Sequence, residues 1–193
     1  MRTALFCLSI FCFLVSSACR PAAAPVSVSN RPVSINDVPQ TNVPLPPRKP
    51  IGEMSWTTAD GITTTLATFK GKAVILDFWA TFCPPCRAEI PHLNALQAKY
   101  GSENLHIVGL NVGGDDDKPL IAAFLKETKM DYPIACPVDD LSRFVFADRD
   151  DFPQTLVIDR NGRIVKKIVG FSPRIEAELD IAVEQAVMSE PPA

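Results

Sequence analysis

The chain of 193 residues is poor in the ligands and charge patterns that several classes of protein need. It has two histidines, and no second Cys or His pair joins Cys83, Cys86 and His92, whereas structural zinc needs four ligands. Its 22 acidic and 19 basic residues give a net charge of −3 without a basic stripe. We therefore expect neither a bound metal ion nor a nucleic-acid partner.

The six cysteines are too few and too unevenly placed to form the framework of a small disulfide-stabilised domain. Two of them lie within the first 18 residues, and besides Cys83 and Cys86 only Cys19 and Cys136 are left. Cys136 lies in a short strand-like segment. We expect it to be a buried, small apolar side chain rather than a participant in redox exchange.

Residues 1–18 have the pattern of a signal peptide, because Arg2 is followed by an apolar run and then by small residues. The run is shorter than the roughly 20 residues of a transmembrane helix. Cleavage at this point would leave Cys19 as the first residue, which resembles a bacterial lipoprotein processing site. We expect a lipid anchor at Cys19 in the bacterial periplasm or cell envelope, with simple secretion or an uncleaved anchor as alternatives.

Residues 19–50 are dense in Pro, Ala, Ser and Val and show no helical or strand periodicity. This composition predicts an extended, semi-rigid tether, although a disordered leader would have the same composition. The remaining residues, 51–190, are enough for one α/β domain and too few for two.

A pair of cysteines stands where a short apolar strand gives way to a helix predicted over 84–100. At the start of a helix, unpaired backbone N–H groups and the helix dipole stabilise a thiolate at Cys83. Cys83 and Cys86 are three residues apart, which lets them close a disulfide. Pro84 and Pro85 fit here because the first helical positions need no N–H group. The pattern predicts a reversible dithiol/disulfide pair.

This segment resembles the active site of the thioredoxin superfamily, whose signature is matched by Trp79-Ala80 followed by Cys83 and Cys86. Farther along, 152–159 is similar to the strand that the family's cis-proline precedes. The resemblance covers about residues 50–190. It implies an α/β thioredoxin-like fold, with a central mixed β-sheet flanked by helices on both faces and an N-terminal β-hairpin extension.

The expected elements alternate between strands and helices. They are a hairpin around Asp60-Gly61, strand 73–79, helix 84–100, strand 106–112, helix 119–130, a short helix near 141–147, strands 155–159 and 163–169, and helix 173–188. The acidic run 115–117 is expected to be the solvated start of a helix.

Two carboxylates near the cysteines are candidate proton carriers. Asp77 matches the buried aspartate of thioredoxins, where desolvation raises the pKa and allows proton exchange with Cys86. Glu89 completes a Cys-x-x-Cys-x-x-Glu run that resembles the membrane-tethered reductases of cytochrome c maturation, in which this glutamate tunes the thiols. A surface aspartate and an exposed first-turn glutamate are the alternatives. The presence of both carboxylates departs from those reductases, which commonly lack one at the position of Asp77.

The resemblance also implies a shallow groove around Cys83 in which a substrate peptide docks. Phe152 and Pro153 hold the place of the cis-proline segment, although core packing is the alternative for each aromatic side chain. The candidate substrate-binding residues are Trp79, Phe82, Pro84, Pro85, Phe152 and Pro153.

The resemblance implies an extracytoplasmic thiol–disulfide oxidoreductase of the protein-disulfide reductase kind, with Cys83 attacking and Cys86 resolving. It needs no cofactor beyond its redox-active disulfide. Its implied partners are disulfide-containing proteins and a membrane electron donor, with cytochrome c maturation as a candidate process. A thiol peroxidase or a non-catalytic metal-binding or chaperone module on the same fold is the alternative. Peroxidases, however, need a Pro and a Thr or Ser where this chain has Leu76 and Ala80.

Overall fold

The computed structural model describes residues 51–192. The predicted signal peptide 1–18, the tether 19–50 and the lipidation site Cys19 lie outside these residues. None of the helices in 51–192 combines the length and the apolar composition of a membrane span.

A seven-stranded mixed sheet forms the centre of the fold, in the order β2-β1-β5-β4-β3-β6-β7. Its strands are β1 Ser55–Thr58, β2 Thr63–Thr65, β3 Ala73–Trp79, β4 Leu105–Asn111, β5 Ile134–Pro137, β6 Gln154–Ile158 and β7 Ile164–Val169. The helices are α1 Pro84–Tyr100, α2 Ile121–Glu127, α3 Asp139–Val145 and α4 Pro173–Met188. The β3–β4 and β4–β5 pairs are parallel and the others are antiparallel. The expected thioredoxin-like fold is confirmed.

Strand β3 is buried at all seven positions, because it lies between two other strands and both faces of the sheet are covered. Alternate side chains enter opposite cores. Ala73 and Ile75 pack with α1 and α4, whereas Val74 and Leu76 pack with α3 and the hairpin. The carboxyl end of this strand leads directly into the cysteine segment, so the site begins on the most constrained part of the sheet.

Two helices differ from the predicted bounds. The helix expected over 119–130 is a 3-10 turn, Lys118–Leu120, followed by α2, which ends at Glu127 because Thr128 adopts an extended backbone. Helix α3 begins two residues before the expected 141, with Asp139 and Asp140 in its first turn, where the helix dipole favours carboxylates.

Cys136 lies on β5 opposite Thr57 of β1 and is a free, half-buried thiol. The expectation of a buried side chain is wrong, because neighbouring residues of a strand face opposite sides of the sheet, and on β5 it is Ala135 that enters the core.

Gly109 leaves room for the aromatic rings beside the active-site strand. It pairs with Asp77 of β3. A Cβ atom here would lie 2.8 Å from Met130 Cε and 3.1 Å from both Trp79 Nε1 and Tyr132 Cε2. The absence of a side chain therefore lets Trp79 and Tyr132 pack against the middle of the sheet.

We predict that Gly109→Ala lowers the free energy of unfolding by about 1–3 kcal/mol, because two buried rings must move to accept the methyl group. Urea denaturation measures the loss. Gly52→Ala is the matched control, since a Cβ at Gly52 would meet no atom within 4 Å. Equal stability of the two variants would contradict this account.

Candidate active site

Cys83 and Cys86 form a disulfide at the amino end of α1, with their Cα atoms 5.3 Å apart. Cys83 is the N-cap residue, with an extended backbone at φ −100° and ψ 101°, and Pro84 opens the helix behind it. The Cys86 N–H group donates to Cys83 Sγ over 3.2 Å. Cys83 is 5% exposed and Cys86 is 1% exposed, so Cys83 is the outer sulfur of the pair.

The N-cap position explains why Cys83 suits nucleophilic attack. A helix start offers N–H groups without helical partners, and the positive end of the dipole favours an anion there. One of these N–H groups, that of Cys86, already donates a hydrogen bond to the outer sulfur, Cys83 Sγ. After reduction, the same arrangement would stabilise a thiolate at Cys83 in preference to the inner Cys86.

Both candidate carboxylates are buried, each only 1% exposed. Asp77 extends from β3, and Glu89 lies on the same inward face of α1 as Cys86, one turn farther along. The alternatives of a surface aspartate and an exposed glutamate therefore do not apply. The fold brings the two carboxyl groups to the protein interior behind the inner cysteine.

Each carboxyl group receives one hydrogen bond from a residue that sequence analysis missed. The Tyr132 hydroxyl donates to Asp77 Oδ2 over 3.3 Å, and the Thr155 hydroxyl donates to Glu89 Oε1 over 2.7 Å. Thr155 lies on β6 directly opposite Asp77. The other oxygens, Asp77 Oδ1 and Glu89 Oε2, are buried and have no partner among the described residues. Each therefore keeps one oxygen available for a proton.

Burial raises the pKa of Asp77 to about 7, against a smaller lowering effect of the Tyr132 hydrogen bond. Burial also raises the pKa of Glu89 well above its usual range, and the neighbouring charge of Asp77 adds to the effect while Thr155 opposes it. Two carboxylates this close repel each other when both are ionised. The pair therefore holds at least one proton at neutral pH and can exchange another.

An apolar patch adjoins the disulfide. Phe82, directly before Cys83, is 63% exposed and meets the half-buried Phe152 edge-to-face, with ring centroids 6.3 Å apart. The Phe152–Pro153 peptide bond is cis, in agreement with the resemblance. Pro84 is exposed and Pro85 is half-buried. Phe82 and Phe152 thus form an apolar surface beside the outer sulfur.

Trp79 does not belong to that surface. Its side chain has no exposed area and stacks on Phe124 of α2, with ring centroids 4.8 Å apart. The expectation that Trp79 lines the groove is wrong for this structure, because α2 covers the end of β3. The signature tryptophan supports the site from beneath.

The expectation of a solvated acidic run is wrong for its last residue. Asp115 and Asp116 are exposed, but Asp117 is buried and accepts hydrogen bonds from Thr81 and Asn111. Charge pattern alone does not separate these three neighbours. Gly113 and Gly114, directly before the run, are the sequence feature that indicates an unusual backbone at this point.

Comparison with known proteins decides the family. Residues 40–183 match the redoxin family. The chain belongs to that family. It is 30% identical to the thiol-disulfide oxidoreductase ResA of Bacillus cereus over 123 residues, which are 63% of this chain and 69% of that protein. It is 31% identical to ResA of Bacillus subtilis (strain 168) over 111 residues, 58% of this chain and 60% of the relative.

A solved structure agrees with this assignment. The redoxin resembles the crystal structure of a thiol:disulfide interchange protein of the thioredoxin family from Chlorobium tepidum TLS, with a TM-score of 0.58 and 32% identity. The match covers 72% of this chain and 97% of that one. The redoxin is thus a ResA-like member of the thioredoxin superfamily and an enzyme of the thiol–disulfide oxidoreductase class.

The buried acid pair predicts how stability of this redoxin depends on pH. The pKa of Asp77 is about 7 in the folded state and near its ordinary value of 3.8 after unfolding. The folded state therefore binds the proton more tightly than the unfolded state. This difference stabilises the fold at low pH, and the stabilisation is lost as the pH rises through 7. We expect Asp77→Asn, which stays neutral, to lose less stability than wild type between pH 4 and 8, by on the order of 1 kcal/mol or more.

Urea denaturation of the disulfide form across this pH range measures the difference. Asp150→Asn removes a carboxylate from an exposed position and is the control. Parallel pH curves for wild type and Asp77→Asn would contradict the buried-acid account.

Proposed function

We propose that this redoxin is an extracytoplasmic protein-disulfide reductase in which Cys83 attacks the substrate and Cys86 resolves the intermediate. The observation that carries the proposal is the disulfide at the start of α1 with two buried carboxyl groups behind its inner sulfur. This arrangement supplies an activated outer nucleophile and an internal proton acceptor, which together are what thiol–disulfide exchange requires.

In the proposed reaction the Cys83 thiolate attacks one sulfur of a substrate disulfide, and the other substrate sulfur leaves as a thiolate. Cys86 then passes its proton to the ionised member of the Asp77/Glu89 pair and attacks Cys83 Sγ. The second substrate thiolate is released, so the substrate gains two electrons and the enzyme's dithiol becomes a disulfide. A pKa of about 7 at Asp77 suits this transfer, because the group can accept and release the proton at neutral pH.

The same carboxyl groups support the reducing direction. Negative charge behind the cysteines makes a thiolate less stable, and a less stable thiolate favours the disulfide form of the enzyme. An enzyme that prefers its own disulfide gives electrons to its substrate. Recharging then needs a dithiol donor, for which we propose a membrane protein.

Sequence features support the proposed location and process. We propose that residues 1–18 direct export, that Cys19 carries a lipid, and that 19–50 tether the domain to the membrane. The Cys-x-x-Cys-x-x-Glu run, with Glu89 buried behind the thiols, supports cytochrome c maturation as the process. The patch of Phe82 and Phe152, beside the cis peptide bond that precedes the buried Pro153, is the proposed docking site for the peptide around the substrate disulfide.

We expect the Cys83/Cys86 couple to have a reduction potential at or below about −220 mV, in the range of reductases and well below the roughly −120 mV of a strong periplasmic oxidant. Equilibration of the exported protein with defined thiol buffers measures it, with Cys136→Ser as the control that leaves the couple intact. A potential near −120 mV would reverse the proposed direction, and the absence of any two-electron couple would leave the metal-site or chaperone alternative.

We expect Cys86→Ser to accumulate mixed disulfides through Cys83, because the resolving thiol is gone while the nucleophile remains. Cys83→Ser should accumulate none above the background of the double variant. Non-reducing gels with mass spectrometry of the trapped peptides measure both. Equal trapping by the two single variants would contradict the assignment of Cys83 as the attacking residue.

A further inference from the structure

Asp117 is a buried carboxylate on the active-site side of the sheet that the exchange reaction above does not use. It follows β4 and is 2% exposed, whereas Asp115 and Asp116 beside it lie in solvent. Burial of a carboxylate is costly unless hydrogen bonds replace the lost water. The hydrogen-bond partners of Asp117 therefore indicate its role.

Two residues satisfy both oxygens of Asp117. The Thr81 backbone N–H donates to Oδ2 over 3.1 Å, and the Thr81 hydroxyl donates to Oδ1. The Asn111 amide donates to Oδ2 over 2.7 Å. Burial raises the pKa of Asp117, but the bonds from Asn111 and Thr81 outweigh burial and bring it below the ordinary value. The group is therefore a carboxylate anion at neutral pH.

Thr81 connects this anion to the nucleophile. The Cys83 N–H group donates to the Ala80 carbonyl over 3.2 Å, which closes a turn, and Thr81 lies inside that turn, two residues before the cysteine. Next to it, the Val112 N–H group donates to the Trp79 carbonyl over 2.9 Å. The turn that presents Cys83 is thus held from the side of β4.

Gly113 shows that the backbone is shaped around this carboxylate. A Cβ atom at Gly113 would lie 2.3 Å from Asp117 Cγ and Oδ2, which is closer than real Cβ contacts. Only glycine lets the Asp117 side chain fold back across the start of its own loop toward Thr81. This close approach is independent of the hydrogen bonds and favours the same placement.

We propose that Asp117 is a positioning residue for thiol–disulfide exchange: it fixes the turn that presents Cys83 and places a permanent negative charge behind it. The proposal rests on the exchange reaction given above, with Cys83 as the attacking group. The charge opposes the stabilisation that the start of α1 gives the Cys83 thiolate. Asp117 thereby makes the enzyme's disulfide more favourable and its dithiol more reducing.

Asp117→Asn tests the charge while keeping the shape. The asparagine oxygen can accept from Thr81 N–H and Asn111, and its amide can donate to the Thr81 hydroxyl. We expect the pH midpoint of Cys83 alkylation by iodoacetamide, followed at that residue by mass spectrometry, to fall by at least about half a pH unit. The equilibrium with glutathione should shift at least about threefold toward the dithiol. Asp116→Asn, which removes an exposed neighbouring charge, is the matched control.

Thr81 provides a second test that leaves the charge in place. We expect Thr81→Val to slow attack of Cys83 on a model disulfide about three- to tenfold at a pH above its alkylation midpoint, because one hydrogen bond to the turn is lost. Thr81→Ser should restore the rate. Thermal unfolding of each variant verifies that it is folded.

An unchanged alkylation midpoint in Asp117→Asn together with a normal rate in Thr81→Val would overturn the proposal and leave Asp117 with a purely structural role. Failure of the proposed function is distinguishable from this result. In that case the wild-type protein itself would show no reversible Cys83/Cys86 couple, whatever the variants do.

Discussion

The burial of two carboxyl groups behind a disulfide is the constraint on which this structure depends. Asp77 and Glu89 give up water, and each receives only one hydrogen bond in return. Burial of carboxyl groups with so few hydrogen bonds contributes little to the stability of a fold. It is typical of sites whose chemistry needs shifted pKa values. The packing around Asp77 supports its burial. Gly109 has no side chain and so leaves room for the ring of Tyr132, whose hydroxyl donates to Asp77.

The chemistry of the cysteines follows from opposing electrostatic contributions. The start of α1 stabilises a thiolate on Cys83, as the hydrogen bond from the Cys86 N–H group already indicates. The buried acid pair and the proposed role of Asp117 act in the opposite direction. Strand β3, helix α1 and the segment after β4 position these charged groups. The balance between dithiol and disulfide therefore depends on the whole active-site end of the sheet.

Much of the fold was predictable because local patterns specify it. The largely apolar β3 and the helical spacing of α1 predict the observed bounds, 73–79 and 84–100, and the cis peptide bond at Pro153 follows from the family resemblance. Helix 119–130 was predicted too long, since the extended backbone of Thr128 is not evident from helical periodicity. The burial of Trp79 is not evident from the local sequence, because α2, which covers this side chain, lies more than 40 residues farther along the chain.

The sequence by itself determined the chemistry that is available: two cysteines at a helix start, two carboxylates within a few residues of them, and an aromatic residue directly before the first cysteine. These features depend on spacings of a few residues, which local backbone geometry converts directly into positions. Tertiary structure alone decided which polar groups meet. Tyr132, Thr155 and Asp117 reach the site from separate elements, because strands distant in sequence lie side by side in the sheet and only their pairing brings these hydroxyl and carboxyl groups within hydrogen-bonding distance.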